Sequence, residues 1–268
     1  MAVTCTIDIE EYEGASSRIT TAVNTVLDYC SAQSIHLTAF VVGDLARARP
    51  DLIRQISTAG HEIGLHGPDH RLLSQWVPTE FISRCKDDRS FLADLAGAPI
   101  QGFRAPIFSL TPEVPWAPEA LADSGFSYSS SVVPAKQTRG NSGFPGAPRE
   151  PFRWSSGVVE MPAGLYGRLP VGGAYLRLLP RFLVKRMKRG LPRRAPWVYA
   201  HPYDFDTTEE RRHLPGTGRI ESRLLFMRRR LMTERLGLVV DGVAGLPLGE
   251  LLPELIASDL PVFYPVTK

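Results

Sequence analysis

The fold is decided within residues 36–70, which read HLTAFVVGDLARARPDLIRQISTAGHEIGLHGPDH. Residues 37–42 are apolar, have the length of a strand and are rich in β-branched and aromatic side chains. A helical pattern begins at Pro50 and ends at Gly60, and residues 61–65 form the next strand. A strand, a helix and a second strand in this order predict a βαβ unit with parallel strands.

The rest of the chain extends this pattern in both directions. Residues 3–9 predict a first strand, and a helical repeat of apolar residues follows from Ile19 to Cys30. The same criteria predict strands at 103–106, 125–128 and 197–200, helices at 117–124, 220–235 and 247–256, and loops at 134–174. We therefore expect a single α/β domain over residues 1–268, with its functional groups at the carboxyl ends of the strands.

The composition is that of an ordinary globular protein. Of the 268 residues, 43% are hydrophobic and 22% are charged, and the net charge of +3 is too small to indicate nucleic-acid binding. Cys5, Cys30 and Cys85 lack CxxC spacing, which argues against a thiolate zinc site and favours a reducing compartment. Neither a signal-peptide pattern nor a transmembrane stretch is found, so we expect a cytoplasmic protein.

Two histidines and a cluster of acids stand directly after predicted strands. His66 and His70 are four residues apart, and on the first turn of a helix this spacing places both rings on one face. Pro68 suits the start of such a helix. An acid from residues 8–11 can supply a third ligand. Two imidazoles and one carboxylate, with an open position, form the ligand set of a hydrolytic metal site.

Several motifs resemble, in chain order, those of one enzyme family. They are TIDIEEY (6–12), GHEIGLHGPDH (60–70), GFRAPIFS (102–109), GFSYSSSVVP (125–134), GGAYLRLLP (172–180) and YAHPYDFD (199–206). Over residues 3–206 the chain resembles the polysaccharide deacetylases, carbohydrate esterase family 4. Within that family it is most similar to the cytoplasmic-type subgroup linked to exopolysaccharide and cell-envelope biosynthesis. The resemblance implies a distorted (β/α) barrel, with residues 134–174 as loops over its mouth.

The resemblance also implies an activity, the removal of an N-acetyl or related acyl group from an amino sugar. His66 and His70 would bind a divalent metal together with Glu10. Zinc is the default, although two histidines and a carboxylate also suit Fe, Co, Ni or Mn. Asp8 would be the general base that deprotonates the attacking water, and Arg104 would hold its charge and orientation.

A second group of residues would act on the substrate itself. By the same resemblance, His201 would be the general acid that protonates the leaving amine, because an amide anion is a poor leaving group. The amide N–H of Ile107 would stabilise the oxyanion, and Phe108 and Tyr203 would contact the substrate.

The first and fourth motifs depart from the usual family pattern. Most members have two adjacent aspartates in the first motif, whereas one residue separates Asp8 from Glu10 here. Strand alternation places Asp8 and Glu10 on one face, and Glu11 remains an alternative ligand. Ser129 stands where an aspartate is usual in the fourth motif, which removes a charge expected near His201.

Residues 180–194 form a basic segment of seven arginines and lysines without an acid, interleaved with apolar residues. One interpretation is a solvated amphipathic helix. The other is a surface for anionic lipid headgroups or a substrate pyrophosphate, which would suit a polyprenyl-phosphate-linked sugar at the inner face of the membrane. Two alternative functions stay open, namely hydrolysis of a small non-sugar amide and non-catalytic binding of a glycan or lipid.

Overall fold

A computed structural model describes residues 1–11, 18–136, 143–214, 218–240 and 242–264. The strands are β1 (Thr4–Ile9), β2 (Thr38–Val41), β3 (Glu62–Leu65), β4 (Gly102–Phe103), β5 (Tyr128–Ser129), β6 (Phe152–Trp154), β7 (Val159–Glu160), β8 (Leu165–Tyr166), β9 (Leu169–Pro170), β10 (Trp197–Ala200) and β11 (Val262–Phe263). The α-helices are α1 (Ile19–Gln33), α2 (Gly43–Ala48), α3 (Pro50–Thr58), α4 (Pro78–Ala96), α5 (Ala117–Asp123), α6 (Gly173–Leu178), α7 (Arg181–Met187), α8 (Arg219–Phe226), α9 (Met232–Val240) and α10 (Leu248–Ala257).

Among the described residues, the main sheet has nine strands in the order β10-β1-β2-β3-β4-β5-β7-β6-β11. Its neighbours pair in parallel, except for the antiparallel pair β6–β7. All six residues of β1 are buried, as expected for a central strand that is covered on both faces. The predicted α/β class with a mainly parallel sheet is therefore confirmed.

The sheet does not close into a complete barrel within the described residues. Its edge strands are β10 and β11, and no backbone ladder joins them in this part of the chain. The indole Nε1 of Trp197 in β10 nevertheless donates a hydrogen bond of 3.0 Å to the carbonyl of Met161, directly after β7. This bond spans the gap in the ring of parallel strands, so their carboxyl ends surround one common opening.

Several local predictions are confirmed and others are wrong. Helix α3 begins at Pro50 and buries Leu52, Ile53 and Ile56, as its apolar spacing predicts. Residues 137–142 of the predicted loop at 134–174 lie outside the described residues, and the remainder contains strands β6 and β7, which belong to the main sheet, and the hairpin β8–β9. The predicted helix at 220–235 is divided into α8 and α9, because Arg228 between them has a left-handed backbone with φ of 56°. None of the described helices is both long and apolar enough to cross a membrane.

Candidate active site

The parallel strands bring the predicted site residues to one edge of the sheet. Asp8 is the second-last residue of β1, and Glu10 is the first residue after that strand. His66 comes immediately after β3, and its backbone N–H donates a hydrogen bond of 2.7 Å to the carbonyl of Val41 in β2. Arg104 follows β4, and His201 follows β10. Residues that lie almost 200 positions apart therefore meet because β10 pairs directly with β1.

Glu10, His66 and His70 form a cluster with the composition of a metal site. Their ligand atoms all lie within 4.8 Å of one another. His66 Nε2 is 3.2 Å from Glu10 Oε2, and His66 Nδ1 is 3.0 Å from the carbonyl of Arg104. That carbonyl fixes the proton on Nδ1 and leaves Nε2 as a lone-pair donor, which is how proteins orient a ligating histidine.

The geometry of His70 also fits a metal ligand. Its Nε2 atom is buried and lies 2.5 Å from Glu10 Oε2, but the angle is not that of a hydrogen bond. Both atoms are of types that could hold one cation together with His66. Burial alone would raise the pKa of Glu10, but the charge of His201 and the close contacts with His66 and His70 keep it well below its usual range. The donor set of two nitrogens and one oxygen suits Zn²⁺.

The two histidines converge by a different route from the predicted helical turn. Residues 66–70 are not helical. Gly67 and His70 both have left-handed backbones, with φ of 72° and 61°. A side chain at Gly67 would also approach the ring of Pro106. The prediction of one helical face is therefore wrong, although the rings of His66 and His70 still lie 5.3 Å apart.

Asp8 and Arg104 form a buried ion pair beside Glu10, His66 and His70. Arg104 Nη1 donates to Asp8 Oδ1 at 2.6 Å and to Thr6 Oγ1 at 2.8 Å, and the Arg104 side chain is fully buried. Its Nε and Nη2 atoms bond to the carbonyl and hydroxyl of Ser130, and its guanidinium stacks on the ring of Phe40. Because the guanidinium is held on several sides, the position of the Asp8 carboxylate is fixed.

His201 is held by Asp204, a residue that sequence reasoning did not single out. The His201 ring nitrogen Nδ1 is 3.2 Å from Asp204 Oδ2, and Nε2 lies 3.6 Å from Glu10 Oε1. Burial alone would lower the pKa of His201, but the charges of Glu10 and Asp204 raise it to about 9. Asp204 therefore provides the negative charge that Ser129 cannot supply. The sequence signal was its position three residues after His201, where the turn Pro202–Asp204 folds back.

These groups line one cavity of about 350 Å³. Its lining residues are Asp8, Glu10, His66, His70, Ala105, Ile107, Phe108, Val133, Pro170, Tyr175, Tyr199, His201 and Tyr203. All the predicted site residues belong to this lining except Arg104, which lies beneath it against Asp8. The sequence analysis did not predict Tyr175 and Tyr199 as site residues. Each is an aromatic residue inside a motif, at 172–180 and 199–206, and this was the available signal. Glu11 is absent from the lining and borders a different, much smaller cavity.

Ile107 and Phe108 have strained backbones at the wall of this cavity. Both residues are left-handed, with φ of 55° and 53°. Such a conformation costs roughly 1–2 kcal/mol for an ordinary residue and is unusual for a β-branched one. Tyr203 lies opposite and stacks on the ring of His201, with a centroid separation of 4.7 Å. The cavity therefore combines polar groups at its base with apolar and aromatic walls, as small-molecule sites commonly do.

Comparison with known families divides the chain into two segments. Residues 2–125 match the family model described as polysaccharide deacetylase, and residues 130–243 match a domain of unknown function, DUF3473. The first segment supplies Glu10, His66, His70, Asp8 and Arg104. The second supplies His201, Tyr203 and Tyr175 to the same cavity.

Individual proteins show related similarities. A peptidoglycan-N-acetylglucosamine deacetylase of Bacillus cereus is 26% identical over 73 residues, which is 27% of each chain. A Mycobacterium smegmatis structure classed with the polysaccharide deacetylases has a TM-score of 0.60 and 21% identity, covering 97% of this chain and 92% of that one. A family 4 pseudoenzyme of Bacillus anthracis has a TM-score of 0.52 and 14% identity, covering 94% of this chain and 65% of that one.

The two structural similarities concern the fold, and the curated relative is matched over only about a quarter of its length. The family model matches the segment that carries the motifs with Asp8, Glu10, His66, His70 and Arg104. Residues 2–125 of this chain therefore match the polysaccharide deacetylase family, the same family that the sequence motifs resemble.

Proposed function

We propose that this protein is a metal-dependent hydrolase that removes the N-acyl group, acetyl or formyl, from an amino sugar. The observation that carries the proposal is the joint geometry of one cavity. Three metal-type donors lie within 4.8 Å of one another, and His201 faces one of them at 3.6 Å. The curated relative named for N-acetylglucosamine supports an amino sugar as the substrate class.

Glu10, His66 and His70 would hold the metal. When bound, a divalent cation supplies Lewis acidity, which makes water more acidic and a carbonyl carbon more electrophilic. Asp8 accepts the proton of the attacking water, and Arg104 holds the Asp8 carboxylate in place through the ion pair at 2.6 Å. His201 then gives its Nε2 proton to the leaving nitrogen, so that the product departs as a neutral amine. Tyr203 and Phe108 provide surfaces for the sugar ring.

The matched test compares Asp8→Asn with His66→Ala. We expect His66→Ala to lose both bound metal and turnover, and Asp8→Asn to keep the metal while losing turnover. Substrates would be a panel of N-acetyl and N-formyl amino sugars beside small non-sugar amides, with acetate or formate release as the readout. Retained turnover in both variants would refute the proposed roles. Turnover of the small amides alone would favour the non-sugar function, and bound metal without any turnover would favour a binding protein.

We further propose that the amino sugar carries a phosphate group, as a polyprenyl-phosphate-linked sugar does. A second cavity, of about 320 Å³, includes Arg211, Arg223 and Arg230 in its lining. Its acids are already engaged, because Asp206 pairs with Arg18 at 2.7 Å and Glu209 pairs with Arg229 at 2.8 Å. Guanidinium groups match phosphate geometry, so an anionic ligand would relieve the mutual repulsion of these arginines.

The basic segment at 180–194 supports the same substrate class through membrane contact. Within α7, Val184 and Met187 are buried against the protein, whereas Phe182, Lys185 and Arg186 are exposed. An exposed aromatic ring beside basic side chains suits the surface of an anionic membrane.

Two binding measurements test the phosphate-linked substrate. Inorganic pyrophosphate should bind to the wild type more tightly than to Arg223→Ala/Arg230→Ala, whereas Arg54→Ala, which removes a remote exposed arginine, should match the wild type. Flotation with anionic vesicles should exceed flotation with neutral vesicles. Equal flotation with both lipids and no pyrophosphate binding would refute this part of the proposal.

A further inference from the structure

The GGAYLR part of the motif at 172–180 has no role in the chemistry described so far. It forms α6 and lies in the segment that matches the domain of unknown function. Its residues contact the strand, the turn and the helix that surround His201. This inference rests on the proposed function, because it assumes that His201 acts in catalysis.

The two glycines allow α6 to lie directly on β10. Gly172 forms an isolated parallel bridge with Tyr199, two residues before His201. A β-carbon at Gly172 would overlap the Tyr199 ring and backbone, and one at Gly173 would press on the other side of that ring. Gly173 also has a left-handed backbone, with φ of 50°. A larger residue at either position would therefore push the helix away from the strand that carries His201.

This close approach gives two side chains of α6 different contacts. Tyr175 lines the cavity that contains Glu10, His66 and His70. Arg177 is fully buried, and its Nε donates to Asp204 Oδ1 at 2.7 Å. Burial alone would raise the pKa of Asp204, but the hydrogen bond from His201 and the charge of Arg177 lower it to about 2. Asp204 is therefore held as a carboxylate at neutral pH between an arginine and the histidine.

Arg177 is itself fixed by the end of another helix. Its Nη1 donates to the carbonyls of Leu224, at 2.9 Å, and Met227, and its Nη2 donates to Leu225 O at 3.0 Å. These carbonyls belong to the last turn of α8 and the residue after it, where helices leave acceptors without internal partners. Arg177 thus caps α8 with one side of its guanidinium and orients Asp204 with the other.

We propose that Arg177 is a positioning residue for His201, which it holds through Asp204, and that α6 is the element by which the DUF3473 segment completes the active site. Asp204 Oδ2 accepts from the His201 backbone N–H at 3.0 Å and faces its Nδ1. The ring is thereby held with Nδ1 as the donor to Asp204 and with Nε2 toward Glu10 and the cavity. In this arrangement, residues 130–243 form part of the catalytic site of the deacetylase segment.

The test compares Arg177→Met, Arg177→Lys, Asp204→Asn and the double variant Arg177→Met/Asp204→Asn. Losing an outer residue that orients a catalytic histidine typically costs roughly 10–100-fold in activity. We expect that loss in kcat for Arg177→Met and Asp204→Asn, with unchanged KM and zinc affinity. Arg177→Lys should recover part of the loss. The double variant should lose no more than the worse single variant, because both residues act through His201.

The matched control is Arg47→Met, which removes an arginine that pairs with the fully buried Asp88 at 2.7 Å, and neither residue lines the cavity. It should lower stability without changing kcat. Unchanged kcat in Asp204→Asn, or additive losses in the double variant, would overturn the inference. If Arg177→Met does not fold, Asp204→Asn carries the test, because it preserves the shape of the side chain.

A spectroscopic readout separates this inference from the proposed function. If the wild type releases no acyl group from any amino sugar, the proposed function fails. Nitrogen-15 NMR of the zinc-loaded protein still reports whether the Nδ1–H group of His201 is hydrogen-bonded. Loss of the hydrogen-bonded Nδ1–H signal in both Asp204→Asn and Arg177→Met would support the positioning role. An unchanged Nδ1–H signal in both variants would overturn it.

Discussion

The buried Asp8–Arg104 pair yields the sharpest stability prediction. Arg104→Met removes a guanidinium that lies 2.6 Å from Asp8 and is fully buried, while keeping much of the apolar volume. It leaves the Asp8 carboxylate, which is 3% exposed, without its counter-charge. It also deprives Thr6 and Ser130 of their bonds to the guanidinium.

Breaking a buried ion pair by removing one partner costs about 3–5 kcal/mol. For a chain of 268 residues, an unfolding entropy of about 2.1 cal/mol/K per residue converts this cost into a fall in Tm of about 5–9 °C. Most of the cost comes from the uncompensated charge of Asp8. The double variant Asp8→Asn/Arg104→Met should therefore be more stable than Arg104→Met alone.

The assay is urea-induced unfolding at pH 7, with the wild type, both single variants and the double variant forming a double-mutant cycle. Arg54→Met is the control, because Arg54 pairs with Asp51 at 2.7 Å on an exposed surface, where such pairs contribute about 0–1 kcal/mol. A loss below about 1 kcal/mol in Arg104→Met would refute the reasoning, since a buried pair would then behave like an exposed one. Strict additivity in the cycle would refute the coupling between Asp8 and Arg104.

Three further predictions concern the base, the metal and acid stability. Asp8→Asn should lower kcat by roughly 10²–10⁴-fold, the usual contribution of a general base, with bound zinc unchanged by metal analysis. Removal of metal by a chelator should lower Tm by about 5 °C relative to zinc at 100 times its Kd, and added zinc should restore it; an unchanged Tm would contradict a site in the folded state. Burial alone would raise the pKa of Asp206, but bonds from Arg18 and Thr208 lower it to about 2. An aspartate whose pKa is lowered by folding stabilises the folded state at pH values above its pKa in the unfolded chain. This stabilisation is lost as the pH falls from about 4 to 2. Asp206→Asn should therefore be less stable than the wild type near neutral pH by urea titration. The difference in stability should shrink only as the pH falls from about 4 to 2. Equal stability of the two proteins at pH 7 would contradict this prediction.

The identity of the site residues could be predicted largely from the sequence. Acids at the end of β1 and a histidine at the end of β3 follow from strand patterns, because parallel strands end at one edge of a sheet. The motif order then identified His201 and Arg104 as candidates. The approach of His201 to Asp8 and Glu10 could not be predicted from local patterns, since it depends on the pairing of β10 with β1.

The local paths of the chain were less predictable. The helical turn expected at His66–His70 is replaced by two left-handed residues, because Gly67 must pass close to Pro106. The long helix expected at 220–235 is interrupted at Arg228, where apolar spacing continues on both sides of the break. Hydrophobic periodicity reports which residues are buried, and it does not report where the backbone changes direction.

The sequence by itself determined the class of fold, the family and the chemical character of the site. Those properties depend on residue types and short spacings, which are local. Only the tertiary structure decided that Asp204 holds His201 and that Arg177, 27 residues earlier, holds Asp204. The carbonyls that fix Arg177 lie about 50 residues further along the chain. Such contacts have no signature in the sequence, because they exist only when packing brings a strand, a turn and two helices to one buried position.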